Sequence, residues 1–218
     1  MTASGRVGGI AGLPCIFVYH EENGAFSLHE LPYSAQMPFV AHLPFTVEDF
    51  FSSARSDVAW TERRALDALD RLFVESGVAF SVDGAFRRGN GEGRRCVSMH
   101  DAGLAFRLGE GLPAEQRVRL RGEALRSGRF SCVQMPYACG RSVHVCVGEE
   151  RPALGLGDAG AQVFVLQDAL INASNWYAGA LSGMYCHATA RAVRRAQLAL
   201  GLPVTGRADA RFWAALFD

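Results

Sequence analysis

The apolar positions change their spacing along the chain, and each change marks an element. Pro14 to Val18 and Ala25 to Leu31 are β-rich runs that flank Glu21-Glu22-Asn23-Gly24, and Asn-Gly between two such runs predicts a hairpin. Thr46 followed by Asp49 predicts a short capped helical turn, with Asp in place of the usual Glu of a capping box. From Glu62 to Ser76, Leu66, Leu69, Leu72 and Phe73 recur at helical spacing, with Thr61 as the expected N-cap and Gly77 as the stop. Val78 to Val82 reads as a strand. Pro113 to Ser127 reads as a second long helix, with Pro in its first turn and Gly128 after its end. Phe130 to Pro136 and Arg141 to Gly148 then read as two strands around Tyr137-Ala138-Cys139-Gly140. Helices interleaved with hairpins give an α+β class. Residues 151–161 have the Gly and Pro content of a linker.

Composition narrows the function classes. The 218 residues, 49% hydrophobic and 20% charged, suffice for one medium core and a small second domain. The formal net charge is zero, and every cation other than histidine is arginine, since the chain has no lysine. Without a basic tract the chain is a poor nucleic-acid or membrane-surface binder. No apolar run approaches the roughly 20 residues of a membrane span. The first residues, Met1 to Val18, make a poor secretory signal. The expectation is export by another route, a start farther upstream, or delivery to the wall in a particle such as a phage tail or injection device.

The six cysteines, at 15, 96, 132, 139, 146 and 186, form no Cys-x-x-Cys pair. Cys15, Cys96 and Cys186 read as buried free thiols. Cys132 and Cys139 are placed to face one another across the expected hairpin, which only geometry decides. His20, His29 and His42 are scattered through the N-terminal region and are read as packing or surface residues.

Two segments carry a resemblance with chemical content. Ser98, His100, Gly103 and Ala105 lie in Val97 to Arg107, and Val143, His144 and Gly148 lie in Val143 to Gly148. Together they resemble the two metal-binding halves of the zinc D-alanyl-D-alanine peptidases. Pro44 to Ser53 resembles that family's opening segment, and Asp83 to Asn90 its arginine-bearing segment at the cleft edge. The resemblance spans roughly residues 44–150 and implies a peptidase-like α+β domain in which two histidines and an aspartate hold zinc. It also implies that Arg87, or secondarily Arg88, grips a peptide carboxylate, with Ser98 beside them, because a guanidinium binds a carboxylate through two parallel hydrogen bonds. The other reading of both arginines is a solvated loop.

The departures from that pattern strike the chemistry. Arg107 stands where the ligand aspartate is expected, and Cys146 where the strand aspartate is expected. A guanidinium beside a dication replaces attraction by repulsion, which weakens zinc affinity by orders of magnitude. The favoured reading is therefore a domain without catalysis and without a cofactor. The alternative keeps zinc on His100, His144 and Cys146, because His144 and Cys146 share a strand face. In that case Glu149 or Glu150 would replace the missing base.

Residues 162–218 resemble the three-helix peptidoglycan-binding module. The resemblance rests on Val163 to Leu170, Trp176 to Tyr185, Thr189 to Gln197, Gly201 to Asp209 and Trp213 to Leu216, in order. It implies peptidoglycan as the partner and a location facing the cell wall, periplasmic or particle-associated. Thr189 is expected to cap the second helix and Asp209 the third, with Gly201 and Gly206 closing turns. Trp176 and Tyr177 are the candidates for stacking on sugar rings; the other reading of Trp176 is that it packs the turn after the first helix against the third. The expected organisation is a hairpin extension (1–43), a peptidase-like domain (44–150), a linker (151–161) and the module (162–218). Arg107 and Cys146 decide whether the middle part still does chemistry.

Overall fold

A computed structural model describes residues 12–52, 54, 56–88, 98–135 and 141–217. Cys96, Cys139, the glycine-rich segment 89–95 and the expected turn 137–140 lie outside the described residues. Mixed α and β structure is followed by a small helical region, in agreement with the expected class.

The N-terminal hairpin forms as expected. β1 (Cys15–His20) and β2 (Ala25–Glu30) pair antiparallel, with Cys15 opposite Glu30, and Gly24 in the turn at φ 66°. The hairpin is not a free extension, because β3 (Val58–Glu62) adds parallel to β1 in the order β2-β1-β3. Between them, Thr46 caps α1 (Val47–Phe51) through the capping box that its spacing to Asp49 predicts.

α2 (Arg63–Ser76) buries Leu66, Leu69 and Leu72 and ends at Gly77 in the left-handed region. Thr61 does not cap it. Pairing of Tyr19 with Glu62 keeps the backbone extended through residue 62, so the helix begins one residue later and Thr61 Oγ1 donates instead to the Gly103 carbonyl at 2.7 Å.

The second sheet has the order β4-β5-β7-β6, from β4 (Val82–Gly84), β5 (Ala105–Leu108), β6 (Cys132–Gln134) and β7 (Val143–Cys146). The strand expected over Val78 to Val82 is displaced toward Gly84, because only Val82 and Gly84 find partners on β5. α3 (Ala114–Ser127) follows Pro113 and ends at Gly128, and it packs against α2, β6 and β7.

The C-terminal helices are α4 (Ala161–Ser174), α5 (His187–Ala199) and α6 (Ala210–Phe217). Residues 151–161, expected as a linker, are tied down at both ends: Leu154 bridges to Ala208, Ala159 bridges to Met184, and Leu154 and Ala161 are buried. α4 also enters the core of the N-terminal part. Phe164 stacks on Trp60 with centroids 5.1 Å apart and planes at 6°, and Phe17 and Phe26 close around it. Glu62 Oε1 accepts the Ala161 backbone N–H, one of the donors that a helix start leaves free. Burial raises the Glu62 carboxyl above its usual range, against the pull of Arg64. Among the described residues, no helix is long and apolar enough to cross a membrane.

Candidate functional site

The sheet register brings the sequence-selected residues to one cleft. Arg107 pairs with His144, and Ala105 with Cys146, so β5 and β7 set these side chains in two rows across the sheet. β6 adds Cys132 opposite Cys146 and Gln134 opposite His144. His100 reaches the same place from the turn before β5, where Gly103 at φ 65° donates its N–H to the His100 carbonyl. The resulting cleft, about 350 Å³, is lined by Ser98, His100, Cys132, Gln134, His144, Cys146 and Glu150 among others.

The imidazoles are in direct contact. His100 Nε2 and His144 Nε2 are 3.2 Å apart, and His100 Nδ1 lies 2.6 Å from the Ala85 carbonyl oxygen. A carbonyl only accepts, so His100 carries its proton on Nδ1 and presents a lone pair on Nε2. His144 Nε2 must then be the donor of the contact, which leaves the His144 Nδ1 lone pair 3.8 Å from Cys146 Sγ. Burial holds His100 well below the usual histidine range, at about 4, and the charges of His144, Arg87 and Arg107 push the same way. Burial, then Arg107, also lowers His144. Both rings are therefore neutral near pH 7, the state in which imidazole binds metals.

The thiols are a finding that the sequence reading only half contained. Cys132, His144 and Cys146 offer ligand atoms within 4.8 Å of one another. The register sets Cys132 against Cys146, while Cys139, its other candidate neighbour across the hairpin, lies outside the described residues. The available signal was symmetry, since Cys132 and Cys146 stand seven residues either side of Cys139 in the expected hairpin. Burial, then Cys132, pushes the Cys146 thiol up to about 12. Cys186 is the opposite case: exposed rather than buried as expected, it is lowered by backbone N–H groups at the start of α5. Iodoacetamide at pH 7.5 should therefore label Cys186 at least ten times faster than Cys146 in the folded protein, since the thiolate is the reacting form. Peptide mapping by mass spectrometry checks this, and equal rates would contradict the burial.

Arg107 does not enter the cleft. Its Nη2 donates to the Asp83 carbonyl at 3.1 Å, and the guanidinium lies over Gly84, where a Cβ would meet it at 2.6 Å. It thus leans from β5 toward β4, away from β7 and β6. It supplies no carboxylate, so the residues present do not reproduce a ligand set of two histidines and an aspartate.

The substrate candidates separate. Arg87 Nη2 donates to Ser98 Oγ at 2.8 Å, and its backbone N–H donates to the His100 carbonyl, which places it beside the cleft. Arg88 is committed elsewhere: it pairs with Asp168 of α4 at 2.7 Å, donates to Ser56 Oγ and covers the Trp60 ring at 5.3 Å. It is a clamp between the two parts of the chain. Glu150 lines the cleft, whereas Glu149 is exposed and its carbonyl accepts from Gln162.

In the helical region, Asp209 caps α6 by accepting the Phe212 N–H at 2.9 Å, as expected. Thr189 is not a cap. It is fully buried and bonded to Gln167, and Cys186 takes the N-cap position, because the helix starts two residues before Thr189. Tyr177 is buried as well and donates to the Ala180 carbonyl, so it presents no sugar-stacking face, while Trp176 is half-buried. Two glutamines not singled out by the sequence reading organise this region. Gln167 Oε1 accepts the N–H groups of Ser182 and Gly183, and Gln197 Oε1 accepts that of Gly206. Each buried amide fastens the glycine-containing loop that follows its helix.

Residues 159–216 match the family described as "Putative peptidoglycan binding domain", and the chain therefore carries a cell-wall-binding module at its C-terminal end. A solved structure described as "The crystal structure of SleB N-terminal domain" aligns with 30% identity and a TM-score of 0.30, over 32% of this chain and 93% of that one. Among curated proteins nothing matches the chain.

Proposed function

We propose that this is a cell-wall protein that binds peptidoglycan through its C-terminal helices and carries a non-hydrolytic, peptidase-like N-terminal domain at the wall. The family match over residues 159–216 carries the binding half of this reading. The half that concerns the N-terminal domain draws on the sequence resemblance to zinc D-alanyl-D-alanine peptidases. Support for the absence of hydrolysis comes from Arg107, which occupies the ligand-carboxylate position and is turned to Asp83. Trp176 is the candidate for contact with glycan, and Arg87 with Ser98 the candidate for contact with a stem-peptide carboxylate. A particle or envelope assembly as the route to the wall remains part of this proposal.

Purified full-length protein should sediment with isolated sacculi, and Trp176→Ala should weaken the retention about 10-fold, the worth of one lost aromatic stacking contact. Failure of the wild-type chain to sediment with sacculi of several wall types defeats the binding assignment. A second reading, a zinc peptidase working with an altered site, is favoured by the approach of His100 and His144 to 3.2 Å. It requires Glu150 to act as base, and release of soluble muropeptides would support it.

A further inference from the structure

We propose that Cys132, His144 and Cys146 form a site for a soft divalent metal, zinc above others, in which His100 orients the ligating imidazole without ligating. Their ligand atoms lie within 4.8 Å of one another on adjacent strands. Two thiolates and an imidazole suit zinc and reject magnesium or calcium, which take oxygen ligands. Bonds of about 2.3 Å to sulfur and 2.0–2.1 Å to nitrogen put the donors of a tetrahedral ion roughly 3.5–3.8 Å apart. Cys146 Sγ is already 3.8 Å from His144 Nδ1, so only small adjustments are needed.

The orientation of His144 is what selects this site over its neighbour. The relay from the Ala85 carbonyl through His100 to His144 Nε2 occupies both His100 nitrogens and His144 Nε2, and it turns His144 Nδ1 toward Cys146 Sγ. A ligating histidine held through its other nitrogen is the usual arrangement around a bound metal. A cation between the two Nε2 atoms would need the opposite His144 tautomer, would draw on no thiol, and would find no carboxylate at Arg107. Because Arg107 leans toward β4, its charge faces away from β6, where Cys132 stands. On binding, both thiols release their protons to solvent, and two thiolates balance the dication. No oxidation state changes. Glu150 lines the same cleft as the three ligands. This site replaces the expectation of a cofactor-free cleft; it rests on the cleft geometry, not on wall binding, so failure in sacculus sedimentation leaves it standing.

The test is metal loading of reduced full-length protein, wild type and the variants Cys132→Ser, Cys146→Ser and His100→Gln. The wild type should hold one zinc per chain, and its cobalt form should show near-ultraviolet thiolate-to-cobalt absorption. Each serine variant should lose stoichiometric binding. His100→Gln should keep the thiolate absorption but bind about 10–100-fold more weakly, the usual effect of removing a group that orients a ligand. An unloaded wild type, or a Cys132→Ser protein with unchanged metal content and absorption, overturns the proposal, as does loss of binding in His100→Gln alone. Should a serine variant not fold, alkylation of the wild type decides: zinc should protect Cys132 and Cys146 at least 10-fold while leaving Cys186 reactive, and absence of protection refutes the site.

Discussion

Gly103→Ala should lower the stability of the N-terminal part by on the order of 4 kcal/mol, among the largest effects a single substitution has. Gly103 sits at φ 65°, where a side chain alone costs roughly 1–2 kcal/mol. The added Cβ would fall 2.1 Å from the Trp60 carbonyl oxygen and 3.2 Å from Thr61 Cβ. The first contact is with backbone, so no rotamer relieves it and the turn must move. That turn is held by Thr61 Oγ1 donating to the Gly103 carbonyl and Trp60 Nε1 donating to the Asp101 carbonyl, both buried. Moving it breaks them and displaces His100. For a chain of this size the loss corresponds to a fall in Tm of roughly 10 °C. Thermal unfolding followed by Trp fluorescence measures it; a change under about 2 °C would mean that the turn accommodates the methyl group and that its fit to β3 is looser than described.

Gln167→Leu should be nearly as damaging, by a different mechanism. The side chain is fully buried in α4; its amide nitrogen lies within hydrogen-bond distance of Ser182 Oγ, the Met184 carbonyl and Thr189 Oγ1. Its oxygen accepts the N–H groups of Ser182 and Gly183. Leucine fills a similar volume and makes none of these bonds. Each buried group left without a partner costs about 1–3 kcal/mol, so a total on the order of 3 kcal/mol is expected. The local signature is faster amide exchange at Ser182 and Gly183, by about 100-fold for that energy. Hydrogen exchange read by mass spectrometry over residues 180–186 tests this, and unchanged protection there would show that the loop holds without Gln167.

What the sequence disclosed, and what it did not, follows from the range of the interactions. The hairpin at Asn23-Gly24, the Thr46–Asp49 box, and the ends of α2 and α3 at Gly77 and Gly128 are decided within a few residues, and all appear where their local patterns place them. The expected caps at Thr61 and Thr189 fail because the helix starts move: the pairing of Tyr19 with Glu62 delays α2, and α5 begins two residues before Thr189. Each threonine oxygen then meets a distant partner instead, Gly103 or Gln167. The bridges that hold residues 151–161 and the docking of Phe164 on Trp60 depend on contacts between positions far apart in the chain, which composition does not register.

The site divides in the same way. His144 and Cys146 share a strand face by period alone, and His100 was selected by a motif. Their mutual approach needed the β5–β7 register, and Cys132 joined through the β6–β7 register. Arg107 was legible as a departure, but its direction was not. Only the pairing of Gly84 with Arg107 explains where the guanidinium goes, because glycine there leaves the space it fills.

A chain that holds peptidoglycan without cutting it leaves the wall intact while it is retained on it. The most direct test incubates full-length protein, with added zinc, on purified sacculi; after sedimentation, protein is assayed in the pellet and muropeptides in the supernatant by chromatography. Protein is expected in the pellet, with no soluble muropeptide above a protein-free control. Protein confined to the supernatant, or muropeptide release that grows with time and disappears in His144→Ala, would contradict this reading.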